Sequence, residues 1–168
     1  MKTLYLLRHA KSSWKDEGLD DKSRPLKKRG HFQADLISDH LSSLLPPAQH
    51  VLCSPAVRTR DTLAYFLEVW PLKLKSVVYT DELYLAERDT YFSAATSLSE
   101  NVEVAMMVGH NPGLSDFVNK VLRKESEGPG TLRTCAFLQI DFEVATWKEV
   151  KPRSGRLKLH LRPKDLER

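Results

Sequence analysis

Cysteine is scarce in this chain. Cys53 and Cys135 are the only two, with none of the short spacing of a redox or metal-knuckle motif, so neither a disulfide framework nor a thiolate metal site is expected. A reduced, cytoplasmic setting is the expectation that follows. Glycine and proline are also modest, at 7 and 9 residues, which excludes collagen-like and low-complexity chains. Long apolar runs are missing as well: stretches such as Leu4-Tyr5-Leu6-Leu7 fall far short of the roughly 18 residues of a membrane span. The opening MKTLYLLRHA has too short an apolar region for a signal peptide, and no membrane partner is expected. Nor does one sign of charge dominate. Lys and Arg number 26 against 22 Asp and Glu, a formal net charge of +4 that favours anionic substrates or acidic partners. The basic residues are not interleaved with aromatics as a nucleic-acid platform requires, so nucleic acid is not an expected partner.

What is present is enough chain for one domain. A length of 168 residues can bury roughly 70% of its unfolded surface, and with no internal repeat or linker the whole of residues 1–168 is expected to form a single domain. Nothing in the sequence sets an oligomeric state.

Elements alternate along the chain. A strand at about 3–8 precedes the polar loop KSSWKDEGLDDKSR, and Ile37, Leu41, Leu44 and Leu45 then have helical spacing that Pro46-Pro47 stops. The short run HVLC reads as a strand ending at Ser54, which is expected to cap a helix with Pro55 in its first position. Leu63, Phe66, Leu67 and Trp70 mark that helix's buried face. A strand at about 76–80, a helix at about 89–98 and a buried strand VEVAMMVGH follow, the last running into Asn111-Pro112-Gly113 and a short helix. Buried strands alternating with helices imply a mostly parallel sheet covered on both faces, whereas CAFLQIDFE and RLKLHLR alternate apolar with polar residues, as antiparallel strands near an edge do.

In such sheets ligands bind beyond the carboxyl ends of the strands. Arg8-His9, Ser54 and Gly109-His110 all stand at such ends and are expected to open on one crevice. Arg58, about one turn into the following helix, leans toward that crevice because helical side chains tilt to the N-terminus. Arg60 lies roughly 200° further round and points elsewhere. Two arginines and two histidines at one crevice suit phosphoryl transfer: guanidinium forks match phosphate oxygens, and a neutral imidazole can attack phosphorus and carry it as phosphohistidine. One histidine is then nucleophile and the other an electrostatic partner. His31, His40, His50 and His160 have no such setting and read as ordinary surface or packing residues.

LRHAKSSW, CSPAVRTRDT and VGHNPG, in this order, resemble the histidine phosphatase superfamily, whose members carry an Arg-His-Gly or Arg-His-Ala signature after the first strand. With RPLKKRG at 24–30 they look most like its short branch, the SixA-type protein-histidine phosphatases. The resemblance spans about residues 3–140. It implies a phosphoglycerate mutase-like three-layer α/β/α sandwich, His9 as nucleophile, Arg8 and Arg58 as phosphate clamps and His110 as the second histidine of the pocket. It also implies no metal and no cofactor, and no Cys/His/Asp cluster of metal-site spacing accompanies His9 and His110. Two departures stand out. The Leu-x-Glu general acid of many relatives has no counterpart, because counting from Leu83 puts Leu85 where the Glu belongs. Glu82 is then a weak candidate acid, with Glu87 displaced and Asp16, Asp20 and Asp21 of the first loop able to swing in. Lys27 also stands where relatives often place a capping Ser or Thr.

A missing acid bears on substrate. An alkoxide needs a proton to leave, worth about 10²- to 10⁴-fold in rate, whereas an imidazole nitrogen departs more readily. The resulting expectation is a metal-independent phosphatase of phosphohistidine in phosphorelay-type proteins, with a phosphatase of small or aryl phosphate esters as the alternative and a non-catalytic phosphate-binding module ranked below both.

Overall fold

A computed structural model describes residues 1–167. Its centre is a six-stranded sheet in the order β3-β2-β4-β1-β5-β6, formed by β1 (Lys2–Arg8), β2 (His50–Cys53), β3 (Val77–Tyr79), β4 (Val104–Gly109), β5 (Phe137–Phe142) and β6 (Gly155–Leu161). Strands β3, β2, β4 and β1 run parallel, β5 opposes β1, and β6 opposes β5 at the edge. The mostly parallel sheet with an antiparallel margin is therefore as the patterning implies.

Helices cover both faces. The sandwich consists of α1 (Lys28–Ser42) and α2 (Val57–Val69) on one side, and α3 (Arg88–Thr96) and α4 (Gly113–Val121) on the other; α5 (Pro163–Leu166) packs on α1. Because successive strand side chains point to opposite faces, β1 divides its apolar residues between two cores. Tyr5 and Leu7 join Ile37, Leu41, Leu63 and Phe66 under α1 and α2, while Leu4 and Leu6 join Tyr91, Leu114, Phe117 and Val118 under α3 and α4. A strand buried on both sides is an unbroken apolar run, which is why LYLL lacks alternation.

Two helix boundaries differ from the periodicity. Helix α1 ends at Ser42, so Leu44 and Leu45 lie beyond it; Leu44 is exposed and Leu45 packs on the core from the turn. Helix α2 starts at Val57, with Ala56 extended at φ −56°, ψ 144° as its N-cap, so Ser54 and Pro55 precede the helix. Helix α1 has Lys27 as its N-cap, with no side-chain cap hydrogen bond, consistent with the lysine where a hydroxyl is usual. Gly30 in its first turn is needed for close approach: a Cβ there would lie 2.1 Å from the Lys11 carbonyl oxygen. Among the described residues no helix is long and apolar enough to cross a membrane.

Candidate active site

Register brings the strand ends together. Arg8 pairs with Gly109 across β1 and β4, the His9 N–H donates to the Gly109 carbonyl at 3.3 Å, and the Ser54 N–H donates to the Val108 carbonyl at 3.0 Å. His9 and His110 consequently face each other with ring centroids 5.4 Å apart. Gly109 carries no side chain because one would strike Tyr91: a Cβ would sit 2.1 Å from its hydroxyl. That hydroxyl accepts the His110 N–H at 3.2 Å and so fixes the turn after β4.

His9 is 7% exposed, and its Nδ1 lies 2.8 Å from the Ala10 carbonyl oxygen. A carbonyl only accepts, so Nδ1 carries the hydrogen and Nε2 keeps a lone pair. Burial pushes the His9 pKa down to about 4; the Ala10 contact opposes that shift, and the charges of Arg58, Arg8 and Arg24 add to it. The ring is therefore neutral at neutral pH, the state a nucleophile needs. The Ala10 peptide is itself anchored, its N–H donating to Thr62 Oγ1 at 2.9 Å while the Thr62 hydroxyl donates to the Arg58 carbonyl at 2.7 Å.

His110 is hydrogen-bonded through Nε2 to Ser54 Oγ at 2.7 Å, and its buried Nδ1 has no partner among the described residues. Its pKa is lowered to about 3 by burial first and then by Arg58 and His9, against a raising influence from Asp21. The Ser54 hydroxyl is thus directed at this imidazole instead of capping α2.

The cations come from two directions. Arg8 donates through Nη1 to the Leu132 carbonyl at 2.8 Å and leaves its buried Nε without a partner among the described residues; burial and the nearby Arg58 lower its pKa. Arg58, in the first turn of α2 and 3% exposed, reaches the crevice as helical phase requires. Arg60 lies outside, over the Tyr79 ring at 4.6 Å.

Around this core stand residues that sequence reasoning assigned differently or passed over. Asp21 receives Arg58 Nη2 at 2.9 Å and Arg24 Nη1 at 2.9 Å on its carboxylate, and Arg58 Nη1 at 2.7 Å on its carbonyl. The Tyr84 hydroxyl donates to the same carboxylate, and the Tyr84 ring stands edge-on to His110 at 5.6 Å. Burial alone would raise the Asp21 pKa, but the bonds from Tyr84, Arg24 and Arg58 hold it well below the ordinary carboxylate range. Of the loop carboxylates, Asp21 alone joins the cluster: Asp16 accepts the Gly18 N–H and Asp20 that of Ser23. Arg24, buried in the RPL stretch, stacks on Trp14 at 3.2 Å. The available signal for Tyr84 was its place beside Leu83 and Leu85, in the segment searched for an acid.

Glu82 is exposed and lines a cavity of about 270 Å³ with His50, Ala94 and Leu98, which includes none of the cluster residues. Leu85 is also exposed, with φ 50°, and Glu87 precedes α3 at its N-cap. His31 bonds the Tyr65 hydroxyl at 2.8 Å, His40 is exposed on α1, and His160 lies on β6.

The same stretches decide the family. A profile of the histidine phosphatase superfamily (branch 1) matches residues 4–89, which include Arg8-His9, the RPL stretch and Arg58. The chain belongs to the histidine phosphatase superfamily. An uncharacterised chloroplastic protein of Arabidopsis thaliana is 32% identical over 160 residues, covering 90% of this chain and 72% of that protein. An uncharacterised protein of Mycobacterium tuberculosis is 38% identical over 109 residues, and the match spans 65% of each chain. Within the superfamily's solved structures, a SixA-type protein from Agrobacterium tumefaciens superposes with a TM-score of 0.80 at 27% identity, covering 95% of this chain and 97% of that one. The protein histidine phosphatase SixA complexed with tungstate shares the fold at a TM-score of 0.83 and 20% identity, covering 98% and 99%.

Proposed function

We propose that this histidine phosphatase superfamily member acts as one domain that hydrolyses phosphohistidine in proteins through a phosphohistidine enzyme intermediate, without metal or cofactor, in the cytoplasm. The observation that carries the reading is the Nδ1 contact of His9 with the Ala10 carbonyl, which leaves Nε2 as a neutral, lone-pair nitrogen near the buried Arg58 and the half-buried Arg8. His9 Nε2 attacks phosphorus, the bond from phosphorus to the substrate imidazole breaks, and that imidazole, already protonated on its other ring nitrogen, keeps the bonding electron pair and leaves neutral. Water then attacks phosphorus on His9, and inorganic phosphate departs as Nε2 regains its lone pair. Arg8 and Arg58 carry the charge on the phosphoryl oxygens, and His110, oriented by Ser54, adds a hydrogen bond there.

Support for a nitrogen leaving group comes from the segment after β3, where Leu85 turns outward and Glu82 faces a different cavity. The alternative, a phosphatase of small or aryl phosphate esters, draws support from the Tyr84 hydroxyl, a proton donor beside His110. The test compares turnover of a phosphohistidine protein, an aryl phosphate and glycerol phosphate at one pH, with the His9→Ala variant and with alkaline-quench trapping. Expected are an acid-labile, base-stable phosphoenzyme, its loss in His9→Ala, and rates falling in that order. Turnover persisting in His9→Ala refutes the nucleophile, and glycerol phosphate as the best substrate refutes the phosphohistidine reading.

A further inference from the structure

The two terminal nitrogens of Arg58 are already engaged by an anion of the protein's own. Nη2 meets the Asp21 carboxylate at 2.9 Å and Nη1 meets the Asp21 carbonyl at 2.7 Å, so one residue grips the guanidinium on both prongs. This is the two-point geometry in which a guanidinium receives a phosphate. The carboxylate is held in place by further donors, Arg24 Nη1 at 2.9 Å and the Tyr84 hydroxyl. Its backbone is a single helical turn, Asp21–Ser23, whose outer tie is the exposed pair Lys22–Asp81 at 2.7 Å, with Lys22 Nζ also 5.3 Å from the centre of the Tyr84 ring. Exposed ion pairs contribute little, so this strap is fastened mainly at Asp21 itself.

We propose that Asp21 is a specificity-determining residue: its carboxylate competes with the ligand for the Arg58 clamp, so that a phosphoryl dianion takes the clamp and singly charged anions do not. The statement rests on Arg58 being the phosphate clamp of the proposed function. The physical argument is one of exchange. A carboxylate or sulfate monoester brings a single charge and replaces contacts of the same kind, so it gains little by displacing Asp21 and is repelled where it fails to do so. A dianion brings twice the charge and three terminal oxygens for Arg58, Arg8 and His110 together, and exceeds what is lost. Buried arginine would otherwise attract the acidic side chains that every protein surface presents. The internal carboxylate turns them away.

The test is equilibrium binding, which needs no turnover. Dissociation constants of tungstate and of the monoanion 4-nitrophenyl sulfate are measured by calorimetry for wild type, Asp21→Asn and Tyr84→Phe, with thermal unfolding to show that each variant is folded. A charge-assisted hydrogen bond is worth about 1.5–3 kcal/mol, so Asp21→Asn is expected to bind both tungstate and the sulfate roughly tenfold to a hundredfold tighter, since removing an internal competitor raises the occupancy of every ligand that needs the clamp. Tyr84→Phe, which loosens the same carboxylate from its other side, tightens both constants by less. Weaker binding of both ligands to Asp21→Asn would overturn the proposal and make Asp21 a positioning residue for Arg58; unchanged constants in both variants would overturn it too. Failure of the proposed function is separately visible, because absent turnover on phosphorylated substrates leaves these constants as they are.

Discussion

Replacing Thr62 by Val keeps the volume of the side chain and removes two hydrogen bonds at one of the most buried points of the site. Thr62 is 0% exposed; its hydroxyl oxygen accepts the Ala10 N–H at 2.9 Å and donates to the Arg58 carbonyl at 2.7 Å. The Arg58 carbonyl is part of α2 and retains its helical partners, so its loss is small. The Ala10 N–H has no other acceptor among the described residues. Leaving such a buried donor unmet costs about 1–3 kcal/mol, and for a chain of this size each kcal/mol lowers Tm by roughly 2–4 °C, so Thr62→Val is expected to melt about 2–12 °C below wild type. The same residue, one peptide unit further on, carries the Ala10 carbonyl that orients His9, so kcat is expected to fall while KM for an aryl phosphate changes little. Thr62→Ser keeps the hydroxyl and is expected to restore kcat even where lost packing lowers Tm. The assays are calorimetric melting and steady-state kinetics on the three proteins. A Thr62→Val protein with wild-type Tm and kcat would refute the view that this hydroxyl positions the backbone beside His9, the proposed nucleophile.

Arg58→Ala is expected to lower kcat/KM by the equivalent of about 2–4 kcal/mol and Arg60→Ala by little, since the first guanidinium lies in the cluster and the second on Tyr79; equal losses would contradict that placement. His9 and His110 are held neutral with pKa values lowered to about 4 and about 3, so the unfolded chain binds more protons than the folded one below the ordinary pKa of about 6.5. Stability therefore falls as pH drops from about 6.5 toward 4, with a contribution from the pair approaching about 2.7 kcal/mol per pH unit, and urea melts of wild type and His110→Ala should show the slope reduced in the variant. A pH-independent midpoint across that window would contradict the buried, neutral pair. Glu82→Gln is expected to leave the rates on phosphohistidine and on aryl phosphate within about twofold, because its side chain lines another cavity; a collapse of ester hydrolysis in that variant would restore Glu82 as an acid.

The sequence made the strand ends legible because a parallel sheet leaves few alternatives: Arg8-His9 and Gly109-His110 follow apolar runs directly, and parallel register aligns them. The division of labour between Arg58 and Arg60 was likewise legible from helical phase. Ser54 was misread because Ser-Pro is an ordinary way to begin a helix; the chain stays extended through Ala56, and the hydroxyl bonds a histidine 56 positions away, a tertiary contact that local pattern does not encode. Leu44 and Leu45 continued the helical spacing after the helix had ended, since periodicity does not register where the backbone turns. Asp21 is one of four acidic residues in a polar loop. Only the folded path of that loop, pinned by Arg24 and Trp14, distinguishes it from Asp16 and Asp20.

The carbonyl of Leu132 accepts both Arg8 Nη1 and Asn111 Nδ2, each at 2.8 Å, so a single peptide late in the chain holds a side chain from its start and the turn after β4. Residues 4–89, the part matched by the family profile, are therefore not a transplantable module. Grafted elsewhere or expressed alone, they would bring His9 and Arg58 but neither His110 nor the acceptor that restrains Arg8, and the segment between α4 and β5 would have to travel with them.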